Sequence, residues 1–426
     1  MREKKGKSLR ILYAAGPGDV AGTFRHWSAG EDDPSQVNMT LSGLFYDLCR
    51  ENGDKAYVIG SSTKPAYARD ADFIIVHRAT RFGSSSAVLY HIGQVWTALR
   101  LVASAIWFRA DVAVVVCGTC HWFPLRLLPL FGVKVVPSLH CVLWLKYRPM
   151  RRVPRFIRGL NRKFFTKSVH RILSMSQDIT DQLTELTGGR QKPVLQFLPT
   201  YKPKHFDGIR PPDRTHRPFR VFFAGRVERD KGVFDVLEIA KRFREAKITD
   251  VVFDICGRGS ASDELTRLTA EAGVSDTFLL HGFCNRPVMR EMFSNSHVVI
   301  VPTTTEFVEG FNQVVSEAVL AGRPVVSSAV CPAIHYLRDA VVEVPPDDVK
   351  AYGDAILALR DDEALYQKKA NARQMIEAPF YDVEKGWGAA LREALRSLRT
   401  GSSSALPAES AVRHDPSDPE MAGVHD

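Results

Sequence analysis

Short runs of β-branched and aliphatic residues, almost free of polar interruption, recur through the chain, and stretches of helical periodicity separate them. LRILYAA (Leu9–Ala15), AYVIG, DFIIV, VAVVV and VKVVPS stand in the first half; FRVFFAG, VVIV and VVSS stand in the second. A strand that is apolar on both faces must be buried on both, and a parallel sheet between two layers of helices provides that. The intervening segments supply the helices. Thr40–Asn52 places Leu41, Leu44, Phe45 and Leu48 on one face and stops at Gly53, and Ala87–Phe108 is apolar over much of its surface. At 426 residues the chain is too long for one ordinary core and suits two domains. The fold class is therefore α/β.

Composition narrows the function classes. Hydrophobic residues at 45% and charged residues at 25% are those of a soluble globular protein. No stretch of about 18 or more residues is apolar without charge, so no transmembrane helix is expected. Met1–Arg10 is basic, but ILYAAG is too short for a signal h-region and reads as a first strand, which places the protein in the cytoplasm. Seven cysteines without a secretory signal argue against a disulfide framework. Cys117–Gly118–Thr119–Cys120–His121 spells the c-type haem attachment motif; the reading preferred is a pair of cysteines at the end of the strand VAVVV, and no second ligand pair for zinc is evident. No metal and no cofactor is called for.

The net charge of +9 is unevenly spread. Residues 1–200 carry 28 Lys/Arg against 14 Asp/Glu, whereas residues 201–426 carry 29 against 34. From Val112 to Gln177 there are twelve Lys/Arg and no Asp or Glu. Arg151, Arg155, Arg158 and Arg162 recur there at helical spacing, with Val153, Phe156, Ile157, Leu160 and Phe164 on the opposite side. A basic face against an apolar one suits an anionic membrane surface. The plainer reading is a helix that packs its apolar face on the domain and leaves its arginines in water. Nucleic acid is not expected as a partner, because no recognised motif accompanies the charge.

Two segments of the second half carry chemistry. In Val298–Ser328 a β-branched strand ends at Pro302, a polar loop follows, and Val314, Val315, Ala318 and Val319 mark a helix that Gly322 ends. Glu309 lies just ahead of that helix and Glu317 about two turns in, with seven residues between them. Backbone N–H groups at the helix N-terminus favour an anion, while carboxylates accept from hydroxyls. In PFRVFFAGRVERDKG a strand delivers Gly225, Arg226 and then Lys231, just before Gly232 and a helix. Two cations on a tight turn at a helix N-terminus make a diphosphate site.

These strings resemble the E-x7-E and G-R-x4-K-G motifs of retaining glycosyltransferases of glycosyltransferase family 4 (glycosyl transferases group 1). The resemblance is close over residues 215–330 and rests on strand order over 1–200. It implies the GT-B architecture, two Rossmann-like parallel-sheet domains facing a cleft. It implies that Arg226 and Lys231 hold the donor β-phosphate, that Glu309 with the Gly310–Phe311–Asn312 backbone holds the donor sugar, and that Glu317 holds the ribose. Gly257 and Gly259 would let the backbone approach the nucleotide, and His281–Gly282–Phe283 would be the base-contacting turn. His140, at the end of VKVVPSLH, would face the donor sugar across the cleft. Gly16 and Gly18 would line it as an acceptor or phosphate loop. The partners implied are a nucleotide-sugar donor of UDP- or GDP-hexose type and a glycan or lipid-linked acceptor. The setting implied is cell-surface polysaccharide or glycolipid synthesis at the inner face of the cytoplasmic membrane.

The expected layout is a first domain over 1–200, a linker over 201–215, a second domain over 216–380, a helix crossing back over 381–400 and a disordered tail over 401–426. Two other readings remain. Gly16-x-Gly18-x-x-Ala21 is a dinucleotide fingerprint of an NAD-dependent oxidoreductase, though a polar insertion, His26–Gln36, stands where its helix belongs. A catalytically silent GT-B protein that binds membranes is the other.

Overall fold

The computed structural model describes residues 7–62, 64–79, 86–210, 212–213 and 217–400. The expected disordered tail, 401–426, and linker residues 211, 214 and 215 lie outside them. The apolar runs form two sheets. The first contains β1 (Arg10–Pro17), β2 (Lys55–Ser61), β3 (Tyr67–Arg69), β4 (Phe73–Arg78), β5 (Val112–Val116), β6 (Lys134–Leu139), β7 (Ile172–Ser174) and β8 (Val194–Gln196). Their order is β3-β4-β2-β1-β5-β6-β7-β8, parallel except for the short edge strand β3. The second contains β9 (Phe219–Ala224), β10 (Val251–Cys256), β11 (Phe278–Gly282), β12 (Val298–Val301), β13 (Val325–Ser328) and β14 (Val341–Val344). It is wholly parallel, in the order β11-β10-β9-β12-β13-β14. Every residue of β5, β10, β12 and β13 is buried, as expected of strands covered on both faces.

Local signals set the helix ends. Thr40 caps the helix Leu41–Asn52 by accepting from Gly43 N–H, and Gly53 ends it in the left-handed conformation at φ 67°. The helix Ala87–Phe108 buries Ala98, Leu101, Val102, Ala105 and Phe108 but leaves Leu89, Ile92, Trp96, Leu99 and Trp107 exposed. Core packing therefore accounts for one face of it only. No helix among the described residues is long and apolar enough to cross a membrane.

One expectation fails at the first turn. A helix, Val20–Ser28, does begin directly after Gly18, because Asp19 caps it by accepting from Gly22 N–H at 2.7 Å. The irregular excursion is residues 29–40.

The helix Trp387–Thr400 packs back onto the first sheet. It is held at both ends, by Trp387 Nε1 donating to Ser138 Oγ at 2.8 Å and by Arg399 donating to the buried Asp54 carboxylate at 2.9 Å. Asp54 also accepts from Leu9 N–H, at the start of β1. Removing the guanidinium leaves a buried carboxylate without its countercharge. Arg399→Ala should therefore lose about 3 kcal/mol of stability. Urea unfolding checks this, and a change under about 0.5 kcal/mol would reduce the pair to an ordinary surface contact.

Candidate active site

In the second sheet β9 and β12 are neighbours, and the chain winds away from them in opposite directions. Such a reversal opens a crevice beyond the carboxyl ends of the strands. The turn after β9 carries Gly225, Arg226 and Lys231; the loop after β12 carries Thr303, Glu309 and Asn312. His140 follows β6 of the first sheet and meets them from across the cleft.

The walls approach at backbone distance. A Cβ on Gly310 would lie 1.8 Å from the His140 carbonyl oxygen, so only glycine fits there. A Cβ on Gly257 would lie 1.7 Å from Gly225 O, and one on Gly259 would lie 2.1 Å from Val227 O. Both glycines let two protein loops pack against each other; Gly257 also borders a cavity with Arg226 and Glu317, whereas Gly259 does not.

Lys231 and Glu309 form a largely buried ion pair, Nζ to Oε2 at 2.8 Å. Asn312, at φ 67°, donates from Nδ2 to the same oxygen at 3.0 Å, and Gly310 N–H donates to Oε1 at 3.2 Å. Lys231 Nζ also lies 3.6 Å from the centroid of the Phe307 ring, and Arg226 lies 5.5 Å from the same ring on the exposed side. Because the Asn312 side chain turns to Glu309, the helix Gln313–Leu320 has no side-chain cap, and Val233–Glu245 likewise starts uncapped at Gly232. Two uncapped helix N-termini and two cations therefore converge where the strand order reverses.

Two adjoining cavities occupy the cleft and share Ala224, Gly225, Gln313 and Val314. One, of about 320 Å³, is bordered by His140, Lys231, Glu309 and Asn312. The other, of about 290 Å³, is bordered by Arg226, Gly257, Phe283 and Glu317. Burial pushes the His140 imidazole down to about 4, so it is neutral at physiological pH. Burial pushes the Glu317 carboxyl up to about 8, so in the empty site it carries its proton.

Other expected site residues stand elsewhere. Gly16 and Gly18 border neither cavity, and the Asp19 carboxylate occupies the helix N-terminus behind them, where a phosphate would have to sit. That removes the structural basis for a dinucleotide at this loop. The Phe311 side chain is buried against Tyr336 and Phe380, which leaves only its backbone to serve a ligand. His281 turns to Asp254 at 2.8 Å, so Phe283 alone of its turn borders the cavity. The arginine stripe is broken. Arg151, Arg155 and Arg162 are exposed, but Arg158 lies over Trp144 at 3.9 Å and pairs with Glu185 at 2.7 Å. The opposite side is broken too, since Val153 and Phe156 face solvent while Phe164 is buried.

Sequence reasoning missed three features. Ser35–Asn38 crosses to border the Glu317 cavity, held by Arg286, whose N–H and guanidinium donate to Pro34 O and Asp33 O at 3.0 and 3.1 Å. Cys256 and Cys284 form a disulfide at the same cavity, contrary to the expectation of none; the parallel register of β10 and β11 brings their Cα atoms to 5.7 Å. The bond between Trp387 and Ser138 spans 249 positions, and no local signal marks it. The haem-like cluster resolves as expected of a strand end. Cys117 follows β5 and accepts from His140 N–H at 3.1 Å, burial pushes Cys120 up to about 12, and His121 stacks on His91.

Residues 209–376 match the family model described as glycosyl transferases group 1. This segment belongs to that family. The chain is 24% identical over 333 residues to the 2-deoxystreptamine N-acetyl-D-glucosaminyltransferase of Streptomyces fradiae, covering 72% of this chain and 76% of that one. Its fold resembles sucrose-phosphate synthase from Thermosynechococcus elongatus, with TM-score 0.69 and 16% identity over 92% of this chain and 100% of that one. It also resembles Anabaena HepE, solved in complex with UDP and glucose, with TM-score 0.62 and 15% identity over 92% and 100%. The architecture is GT-B, and residues 209–376 are its glycosyl transferases group 1 segment.

Glu317 should make the protein less stable as pH rises. Its folded pKa, about 8, lies above the ordinary value of 4.5. Between those values the native state keeps a proton that the unfolded chain releases, so stability is full below pH 4.5 and falls up to about pH 8. Glu317→Gln removes the effect. The variant should match the parent near pH 4.5 and exceed it by about 4 kcal/mol at pH 8, read from unfolding across pH. A pH-independent difference would show that Glu317 ionises freely.

Proposed function

We propose that the protein transfers a hexose-type sugar from a UDP- or GDP-sugar to a hydroxyl of a glycan or lipid-linked saccharide, with retention of configuration, as a member of glycosyltransferase family 4. The observation that carries this reading is the convergence at one strand reversal of Arg226, Lys231 and two uncapped helix N-termini with the carboxyls of Glu309 and Glu317. That set offers cationic and N–H groups to a diphosphate and carboxyl oxygens to hydroxyls. The glucosaminyltransferase named above and the neighbour that holds UDP and glucose support a nucleotide-sugar donor.

The chemical difficulty is the charge that grows on the departing diphosphate. Arg226, Lys231 and the helix N-termini stabilise it in place, and no metal is required for that step. Lys231 begins the reaction paired with Glu309, so a bound phosphate shares an ammonium that is already oriented. Glu309 and Asn312 then hold sugar hydroxyls, and Glu317 takes the ribose hydroxyls. The leaving diphosphate oxygen accepts the acceptor's proton on the face from which it departs, so the scheme uses no separate general base.

Calorimetric titration of UDP and GDP, with Mg²⁺ and with EDTA, tests the donor site. One diphosphate should bind equally in both buffers. Arg226→Ala and Lys231→Ala should each lose about 10²-fold in turnover. Normal turnover in either variant ends the phosphate assignment, and binding of NADH with neither diphosphate ends the reading as a whole.

A second part of the proposal concerns the acceptor side. The helix Ala87–Phe108 and the helix Arg152–Lys163 both pack against the 3-10 helix Phe123–Phe131. They leave Leu130 76% and Phe156 68% exposed, and Arg151, Arg152 and Arg155 are exposed on the helix of Phe156. Exposed apolar side chains together with exposed arginines suit the inner leaflet of an anionic membrane, where a lipid-linked acceptor would be met. The protein should float with vesicles containing phosphatidylglycerol, and Leu130→Ser with Phe156→Ser should weaken this by about tenfold or more. Equal binding to neutral vesicles, or none to anionic ones, would overturn it.

A further inference from the structure

The imidazole of His140 is the one titratable ring that borders the cavity of Glu309 and Lys231. Its Nε2 lies 2.8 Å from Ser138 Oγ, two residues earlier at the end of β6. Ser138 is fully buried, and its Oγ also receives the indole N–H of Trp387 at 2.8 Å. Trp387 is 1% exposed and opens the helix that returns from the second domain to the first.

Hydrogen-bond chemistry assigns the direction of this chain. An indole nitrogen can only donate, so Ser138 Oγ accepts from Trp387. The hydroxyl proton of Ser138 then needs an acceptor. Among the described residues no other acceptor meets it than His140 Nε2. A buried hydroxyl without an acceptor is strongly disfavoured, so Ser138 donates and Nε2 accepts. The ring proton must then sit on Nδ1, which meets no hydrogen-bond partner among the described residues, on a ring that borders the cavity. An isolated imidazole side chain prefers the other tautomer, with its proton on Nε2. The neutral state required here agrees with the effect of burial on this ring.

We infer that Ser138, held by Trp387, is a positioning residue that fixes His140 in the tautomer with its proton on Nδ1, and so makes it a hydrogen-bond donor to a hydroxyl oxygen of the donor sugar. The inference rests on the donor-sugar reading of that cavity. It extends the site by two residues that touch no substrate. It also gives the returning helix a part in the reaction: Trp387 holds the hydroxyl that holds the catalytic ring.

The test separates the tautomer from the activity. Protein labelled with ¹⁵N-histidine reports the tautomer by two-bond ¹⁵N–¹H correlation, with His140→Ala identifying the signals. The parent should show His140 protonated at Nδ1 alone. Ser138→Ala should turn it mainly to the Nε2–H form, and should lower the thermal melt by a few degrees, because the buried Trp387 N–H loses its acceptor. Trp387→Phe, which keeps the ring and removes the N–H, should give a mixture. The kcat for transfer in Ser138→Ala should fall about tenfold, the worth of one well-placed hydrogen bond, with little change in donor KM. Ser138→Ala should cause no further loss in a His140→Ala background.

If His140 keeps its proton on Nδ1 in Ser138→Ala, the inference is overturned whatever the activity. If the tautomer turns and kcat holds while His140→Ala is impaired, the tautomer that Ser138 sets has no part in the transfer, and the inference is again overturned. If His140→Ala is also fully active, the failure lies in the donor-sugar reading of the cavity.

Discussion

The cleft depends on one backbone contact. Gly310, in the loop that carries Glu309, lies so close to the His140 carbonyl that even a methyl group would overlap it. Side chains change rotamer easily, whereas two backbones in van der Waals contact fix the separation of whatever they carry. The distance from the Glu309 loop to the end of β6 is therefore a property of the main chain. The turn after β9 is fixed in the same way, since Gly232 packs on the Pro302 carbonyl at the end of β12. Lys231 stands one residue before that contact and Glu309 one residue before the other. Their ion pair is thus the result of two close approaches that put its partners in place.

This origin bears on the electrostatics. A buried pair of opposite charges stabilises a fold little once desolvation is counted. Lys231 and Glu309 nevertheless sit largely buried, with Asn312 at positive φ spending its side chain on Glu309 instead of capping its own helix. Both choices cost local stability, and both leave N–H groups and an oriented ammonium facing the cavities. Unmet capacity of this kind belongs at a site that receives an anion. Glu317 shows the same pattern from the other sign. Its carboxyl is buried and protonated when the site is empty, and hydroxyl donors from a ligand would favour its ionised form. Lys231, Glu309 and Glu317, each buried at a cost in desolvation, face the same crevice.

Most of this was legible where the determinants are local. Thr40 and Gly53 bound their helix because a cap and a left-handed stop are set by adjacent residues. The apolar strands could be read from their composition; spacing puts Arg226 near Lys231 and Glu309 near Glu317, and only the resemblance to the E-x7-E and G-R-x4-K-G motifs joined the two pairs in one site. The errors have a common cause. Gly259 looked like room for a ligand, but a glycine in a sequence does not say which backbone fills the room. Gly16 and Gly18 looked like a phosphate loop until the Asp19 carboxylate proved to cap the helix behind them. Ser35–Asn38 gave no signal because Arg286, which holds the segment, lies about 250 positions away. The Cys256–Cys284 disulfide depends on the register of two parallel strands, which composition cannot reveal.

The returning helix gives these contacts a mechanical order. The chain crosses between the domains twice, and the two crossings run side by side: Leu198 N–H donates to Lys385 O at 2.9 Å and Tyr201 N–H to Phe380 O at 2.9 Å. Gly386 lies against Thr200 at this seam, where a Cβ would meet the Thr200 methyl at 2.7 Å. Trp387 comes next and is already fixed to Ser138 of the first sheet. A change in cleft width must bend the paired crossings on the second-domain side of that bond, because the helix beyond it is tied down again at Arg399 and Asp54. Ser138 and His140 would then move together with the first domain, and the separation that changes is the one between the His140 carbonyl and Gly310. The ring keeps its partners through such a motion while the loop of Glu309 comes and goes. A histidine proposed to present the same proton to each incoming sugar needs its support on its own side of the hinge, and Trp387, bonded to Ser138, stands on that side.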